Sequence, residues 1–374
     1  MAQLKNRVLL LGPGSVIHMQ RWANALALAG YQVVCASQHE FLEGGWHSSV
    51  KLVKLPYPGS VGYFLNTCAV RRLHRECHGT LTNAHYATGY GTLATLAGVR
   101  PRLISVWGSD VYDFPAKSRM HRALVRWVLQ RAQGVASTSE VMAAQVRRVM
   151  PSGWGGKVDV TPFGVDLNRF TPAAAACSPG GARPLVIGTV KTLAHKYGID
   201  TLIRAYALLA ADRSLIGTLP QGLRLRLVGG GEQRVELEAL VGSLGLQEQV
   251  EFVGATRHAD VPHWLQGFDI YAAASRLDSE SFGVAIIEAS ACGLPVVVTR
   301  VGGLPEVVLD GQTGLVVERE SPQALAAALK QLALDSALRR RLGERGRAHV
   351  AAKYDWPACV DRMAQVYRRV SGWQ

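Results

Sequence analysis

An α/β fold of two doubly wound, parallel-sheet domains facing across a cleft is predicted by three observations. The chain has 374 residues, and at roughly 150 residues per domain that length points to two. Short apolar runs alternate with helix-length stretches, the pattern of a parallel sheet covered by helices on both faces. The alternation stops once, at 171–184 (TPAAAACSPGGARP), where Pro, Gly and small residues cluster without an apolar period, and then it begins again.

Each element has its own signal. Val8–Gly12 is a short apolar run ending in Gly-Pro-Gly, a first strand. Met19–Ala29 follows with helical spacing and stops at Gly30, and Tyr31–Ala36 is again strand-like, which completes a βαβ opening. Leu103–Trp107, Gly134–Ser137 and Val158–Thr161 read as strands, with helices at Arg119–Arg131 and Val141–Val149. Past the linker, strands are expected at Leu185–Val190, Leu223–Val228, Val250–Val253, Ile270–Ala273, Pro295–Thr299 and Gly314–Val317. Helices are expected at Gly198–Leu209, Arg234–Leu244, Gly283–Ala291, Pro322–Leu332, Ser336–Lys353 and Trp356–Val370. The domains are therefore 1–170 and 185–355, joined by 171–184. Two such sheets leave a crevice at their carboxyl ends, where ligands of open α/β sheets bind.

Composition narrows the function. With 48% hydrophobic and 18% charged residues the chain is neither disordered nor collagen-like. Its formal charge of +13 is unevenly spread: residues 1–170 hold 19 basic and 8 acidic side chains, whereas 171–374 hold 22 and 20. The first half therefore suits an anionic partner, with nucleic acid, an anionic membrane surface and phosphorylated substrates as candidates. Six scattered cysteines without a C-x-x-C pair read as reduced, buried thiols. No apolar run approaches the roughly 20 residues needed to span a bilayer, and the opening MAQLKNRVLLLGPG has too short an apolar run for a secretory signal. A cytoplasmic location is expected.

The segment 280–314, ESFGVAIIEASACGLPVVVTRVGGLPEVVLDGQTG, carries the strongest chemical signal. Glu280 would stand just before a helix start near Phe282, and Glu288 in its second turn. A helix start offers unpaired N–H groups and the positive end of a dipole, suited to an anion or a hydroxyl. One carboxylate there can accept from sugar hydroxyls, and the second can grip a vicinal diol such as ribose. Two glutamates on a helix commonly face water, but Val284, Ile286 and Ile287 make this helix a buried one, where a carboxylate needs a partner.

Other candidates compete with plainer roles. His258, Asp260 and His263 are spaced by two and three, which does not put all three on one helical face, and no Cys or Glu completes a metal set. No Asp-x-Asp occurs anywhere, so a carboxylate clamp for Mg²⁺ or Mn²⁺ is not expected. Gly12-Pro13-Gly14 and Gly229-Gly230-Gly231 each lack the later glycine of a dinucleotide fingerprint, which argues against a dehydrogenase. Lys191 and Lys196 are loop lysines, a class that is mostly just solvated, and a lone His85 is more often structural than catalytic. Asp110 after Trp107-Gly108-Ser109 either orients an acceptor hydroxyl or caps a turn.

Taken together, the motifs closely resemble the family 4 glycosyltransferases. The two glutamates eight apart, Gly293-Leu294-Pro295-Val296-Val297, Gly302-Gly303-Leu304-Pro305-Glu306 and Asp310-Gly311-Gln312-Thr313-Gly314 occur in the family's order and spacing. Gly12-Pro13-Gly14, Ala84-His85-Tyr86, Trp107-Gly108-Ser109-Asp110, Thr161-Pro162-Phe163-Gly164-Val165-Asp166 and Gly188-Thr189-Val190-Lys191 extend the likeness over nearly the whole chain. The resemblance implies the GT-B fold, with the last helix crossing back so that 356–374 packs on the first domain. It implies retaining transfer of a hexosyl-type sugar from a nucleotide sugar, UDP- or GDP-linked, in bacterial surface-polysaccharide synthesis. It further implies that Glu280 binds donor-sugar hydroxyls with the N–H groups of Phe282 and Gly283, and that Glu288 holds the ribose. Gly254 and Thr256 would line the base pocket, Lys191 and Lys196 would neutralise the diphosphate, and Gly14 would let the first loop approach it. His85 would reach the reacting sugar, with Asp110 beside the acceptor. This chain departs from the family pattern in having Lys191 where Arg is usual, Lys196 one residue early, and Trp107 where His is usual. No cofactor or metal is expected.

Residues 117–131 (KSRMHRALVRWVLQR) and 61–75 (VGYFLNTCAVRRLHR) combine basic and apolar side chains, so Arg71, Arg72, Arg122, Arg126 and Trp127 are expected to form a membrane or acceptor surface. A lipid-linked acceptor and a peripheral position at the membrane follow. The rival readings are a nucleotide-sugar epimerase or sugar phosphorylase of the same fold, which would carry extra carboxylates or a longer chain, and a nucleic-acid-binding protein, which 7% aromatic residues make a poor fit.

Overall fold

The computed structural model describes residues 6–76, 80–173 and 183–373. The chain divides into two compact units: residues up to Pro162 together with those from Cys359 onward, and Phe163–Ala358.

The first unit is built on a parallel sheet of seven strands among the described residues. They are β1 (Arg7–Leu11), β2 (Gln32–Ser37), β3 (Lys51–Lys54), β4 (Thr80–His85), β5 (Arg102–Ser105), β6 (Gly134–Ser137) and β7 (Val158–Val160), in the order β3-β2-β1-β4-β5-β6-β7. Leu9, Leu10 and Leu11 are buried on both faces of the central β1, as a helix-covered parallel sheet requires. The strand order reverses between β1 and β4. Gly12 follows the first and His85 ends the second, so both stand at a topological switch point.

The second unit repeats the plan with β8 (Leu185–Val190), β9 (Leu223–Val228), β10 (Val250–Gly254), β11 (Ile270–Ala273), β12 (Val296–Thr299) and β13 (Leu315–Val317). Their order is β10-β9-β8-β11-β12-β13, parallel throughout, with the reversal between β8 and β11. Lys191 follows β8, and the 279–283 loop follows β11 before the helix Val284–Ala291. The core is an aliphatic layer in which Ile187, Leu202, Leu225, Ile270, Leu329 and Leu342 pack together.

The helix Trp356–Ser371 supplies the late residues of the first unit. Asn83 donates to the Tyr367 hydroxyl at 2.7 Å, and Arg369 pairs with Asp159 at 2.7 Å. The expected domain end at 170 is placed earlier by the structure. Val165 donates to the Tyr354 carbonyl and Trp356 donates back to Val165, which ties 163–170 into the second unit. Most of the expected linker lies outside the described residues, as do Cys77 and Cys177. Cys35, Cys292 and Cys359 are buried as expected, but Cys68 is exposed. Among the described residues no helix is long and apolar enough to cross a membrane.

Candidate active site

In the second unit the loop after β8 is set by backbone packing. Lys191 donates its amide to Val228, and Leu193 to Gly230. Gly229, at φ +147, lies so close that a Cβ would stand 1.9 Å from the Lys191 carbonyl oxygen, and one on Gly231 would stand 2.2 Å from that of Leu193. Gly229 and Gly231 therefore serve close approach to the lysine loop.

That loop brings Lys191 Nζ to 2.6 Å from Glu280 Oε1. Lys196, despite its shifted position, lies 3.6 Å from Glu280 Oε2 and donates to the Ser279 carbonyl at 2.8 Å. The Tyr197 ring, which sequence reasoning missed, lies under both ammonium groups at 4.7 and 5.6 Å. Burial raises the Glu280 carboxyl, but Lys191 and Lys196 together outweigh it and hold the group below the usual carboxylate range. Burial likewise lowers Lys191, and Glu280 with Tyr271 and Tyr197 outweighs that, so its ammonium is held above its ordinary value. The product is a largely buried cluster of two cations and one carboxylate at the switch point.

The helix Val284–Ala291 opens on Gly283, at φ +93, with Phe282 packed on Phe163 and Tyr354 at ring separations of 6.0 and 5.4 Å. Glu288 is buried in its second turn, and Oε1 is bonded to His258 Nε2 at 2.8 Å. This is the partner that a buried carboxylate requires. It comes from a turn 30 residues earlier, with no local sequence signal. The wholly buried Tyr271 feels both Lys191 and Glu288. Gly254 has φ +92 at the end of β10 and accepts from the Gly229 amide, while Thr256 Oγ1 accepts from Trp264 Nε1 at 3.1 Å. Among the described residues no group of three His, Cys, Asp or Glu side chains is placed to hold a metal ion.

In the first unit His85 is buried at the end of β4, its ring against Trp107 at 4.9 Å. No described protein group hydrogen-bonds to either ring nitrogen, and burial pushes its pKa down to about 3, so the imidazole is neutral. Asp110 holds loops: it accepts from the amides of Ala87 at 2.7 Å, Trp107 at 3.1 Å and Gly108 at 3.0 Å. Burial nevertheless leaves its carboxyl above the usual range. Of the two expected roles, orienting an acceptor hydroxyl or capping a turn, these three backbone donors supply the contacts of the second. At Gly14 a Cβ would stand 2.4 Å from the Phe41 ring, so the glycine also serves close packing against that ring.

The expected membrane surface is only partly a surface. Arg126 donates to the Val149 carbonyl at 2.6 Å, and Trp127 packs on the core under Arg131. Arg71 donates to the Ala97 carbonyl, and Arg72 pairs with Glu76. Arg122 is exposed. Exposed apolar side chains lie within both expected segments, Met120 at 83% in the second and Val61 at 62% and Phe64 at 57% on the helix Gly59–Leu65 in the first, with Tyr57 just before that helix.

Two family models match the chain: "Glycosyl transferase 4-like" over residues 7–139 and "Glycosyl transferases group 1" over 180–349. A D-inositol 3-phosphate glycosyltransferase of Corynebacterium jeikeium is 34% identical over 226 residues, covering 57% of this chain and 52% of that protein. This chain thus spans about half the length of that relative. A GDP-mannose-dependent alpha-(1-6)-phosphatidylinositol monomannoside mannosyltransferase of Mycolicibacterium smegmatis is 31% identical over 289 residues, covering 74% of this chain and 72% of that one. Among solved structures, a sucrose-phosphate synthase from Thermosynechococcus elongatus superposes with a TM-score of 0.84 at 25% identity, over 99% of this chain and 100% of that one.

Proposed function

This chain belongs to the family 4 glycosyltransferases of GT-B fold, and from that premise we propose that it is a retaining, metal-independent hexosyltransferase acting on a glycolipid hydroxyl. The observation that carries the reading is the buried Lys191–Glu280–Lys196 cluster at the β8/β11 switch point. Two ammonium groups suit the diphosphate of a nucleotide sugar, and the start of the helix at Gly283 adds its dipole. Glu280, kept ionised, accepts hydrogen bonds from donor-sugar hydroxyls, and Glu288 accepts from the ribose diol. As the anomeric carbon–diphosphate bond breaks, the acceptor oxygen bonds to that carbon on the same face, and its proton passes to the departing diphosphate oxygen. The lysines then hold the charge left on the diphosphate, so no metal is called for.

A lipid-bearing acceptor is supported by the basic excess of residues 1–170, by the exposed apolar side chains of the helix Gly59–Leu65, and by the phosphatidylinositol acceptor in the mycobacterial relative's name. A peripheral position at the membrane goes with it. The test is incubation with GDP-mannose and UDP-glucose and a phosphatidylinositol-type acceptor, with and without EDTA, reading the product's anomeric configuration by proton NMR. An α-linked product formed equally well in EDTA is expected. A β-linked product, or transfer only with added divalent metal, contradicts the proposal.

A further inference from the structure

We propose that His258 is a positioning residue for nucleotide recognition: it holds the Glu288 carboxylate in place to meet the ribose diol, and thereby sets the preference for ribonucleotides over deoxyribonucleotides. This rests on the reading of Glu288 as the ribose-binding group. The contact is direct, 2.8 Å from His258 Nε2 to Glu288 Oε1, with both side chains mostly buried. A carboxylate has about four acceptor sites, so the bond to imidazole does not by itself saturate it.

The imidazole is itself held from behind. His258 opens the three-residue turn His258–Asp260. Arg169 donates to the His258 carbonyl, and its guanidinium lies over the Phe170 ring at 5.4 Å. That ring stands 5.9 Å from the imidazole. Arg347 donates to the Phe170 carbonyl at 3.1 Å and also to the carbonyl of Ala291, the last residue of the helix that carries Glu288. The contacts close a ring from Glu288 through His258, Phe170 and Arg347 back to its own helix. Its members come from four separate stretches of sequence. A ring of this kind fixes the carboxylate before a ligand arrives and so lowers the ordering cost of binding.

The test compares UDP, GDP and ADP by thermal shift, then takes the tightest and its 2′-deoxy counterpart into calorimetry. The chains compared are wild type, His258→Leu, His258→Asn, His258→Gln and Glu288→Gln. Gln places an amide N–H where Nε2 stands, whereas Asn reaches only the Nδ1 position and Leu donates nothing. His258→Leu and His258→Asn are expected to weaken the ribonucleotide roughly tenfold, the scale of one lost hydrogen bond to a charged group. The deoxynucleotide should change little, so the ratio between them collapses, and His258→Gln should restore it. A wild-type ratio in folded His258→Leu or His258→Asn, alongside a lost ratio in Glu288→Gln, overturns the positioning role alone. A wild-type ratio in Glu288→Gln overturns the ribose reading and the proposal with it.

Discussion

Glu280 remains ionised in a buried place because two ammonium groups reach it, and that dependence can be measured. Lys191→Met leaves the carboxylate with only the longer contact to Lys196. The expected cost is about 3 kcal/mol, the low end for a broken buried pair, read as a lowered urea midpoint, and Lys191→Met with Glu280→Gln should recover most of it. Unchanged stability in the single variant would contradict the ion pair. The depressed Glu280 carboxyl contributes stability that is present above about pH 4.3 and lost as pH falls through its folded value. The raised Lys191 contributes stability that is present below about pH 10.4 and lost as pH rises through its own. His85 behaves differently. Its pKa of about 3 lies below the ordinary value, so as pH falls below about 6.5 the unfolded chain takes up a proton that the folded one refuses. Stability therefore drops by up to about 1.4 kcal/mol per pH unit. His85→Leu should remove that slope, so its stability advantage over wild type should grow between pH 7.5 and pH 5. An advantage independent of pH would mean the imidazole is not held neutral.

The elements act on the site through backbone contact. The Gly302-Gly303 turn after β12 presses on the loop that carries Glu280. Gly303 donates to the Glu280 carbonyl at 3.1 Å, and a Cβ on Gly303 would stand 2.0 Å from the Ser281 carbonyl oxygen. Gly303→Ala must therefore displace that loop. About 1–3 kcal/mol of stability should be lost, and turnover should fall about a hundredfold if Glu280 shifts by an ångström. Wild-type turnover in this variant would show that the loop position does not matter. Elements with an apolar period were legible in the sequence, and their ends moved by only a residue or two. β4, a central strand, was not, because it reads Thr-Leu-Thr-Asn-Ala-His. Two of its buried polar side chains are satisfied by groups elsewhere in the chain, Asn83 by Tyr367 and Ser105, and Thr82 by His74. β3 is a four-residue, mostly exposed strand flanked by lysines at the sheet edge, so it carries little signal. The helix Arg119–Gln130 was placed correctly, but its Trp127 was read as surface. Val125, Val128 and Leu129 turn that side inward, and Trp127 goes with them.

At the scale of the molecule, two units of one plan divide the chemistry. The basic excess lies in residues 1–170, while Glu280 with its two lysines and Glu288 with its histidine lie in 163–358. The spacing of Glu280 and Glu288, the glycine runs and both lysines made the second unit's site legible, because those residues are held by short loops at neighbouring strand ends. His258 was not legible, since only the folded chain brings a turn after β10 against a helix after β11. Nor did sequence decide whether Asp110 serves a substrate or its own loops. That depended on which backbone amides faced it. The most direct test of the nucleotide-sugar site is one calorimetric titration of the tightest nucleoside diphosphate into wild type, Glu280→Gln and Glu288→Gln, with turnover measured on the same preparations. Glu280→Gln should lose transfer while keeping nucleotide affinity, and Glu288→Gln should lose roughly tenfold in affinity. Equal loss of affinity in both, or none in either, would contradict the division of roles between the two carboxylates.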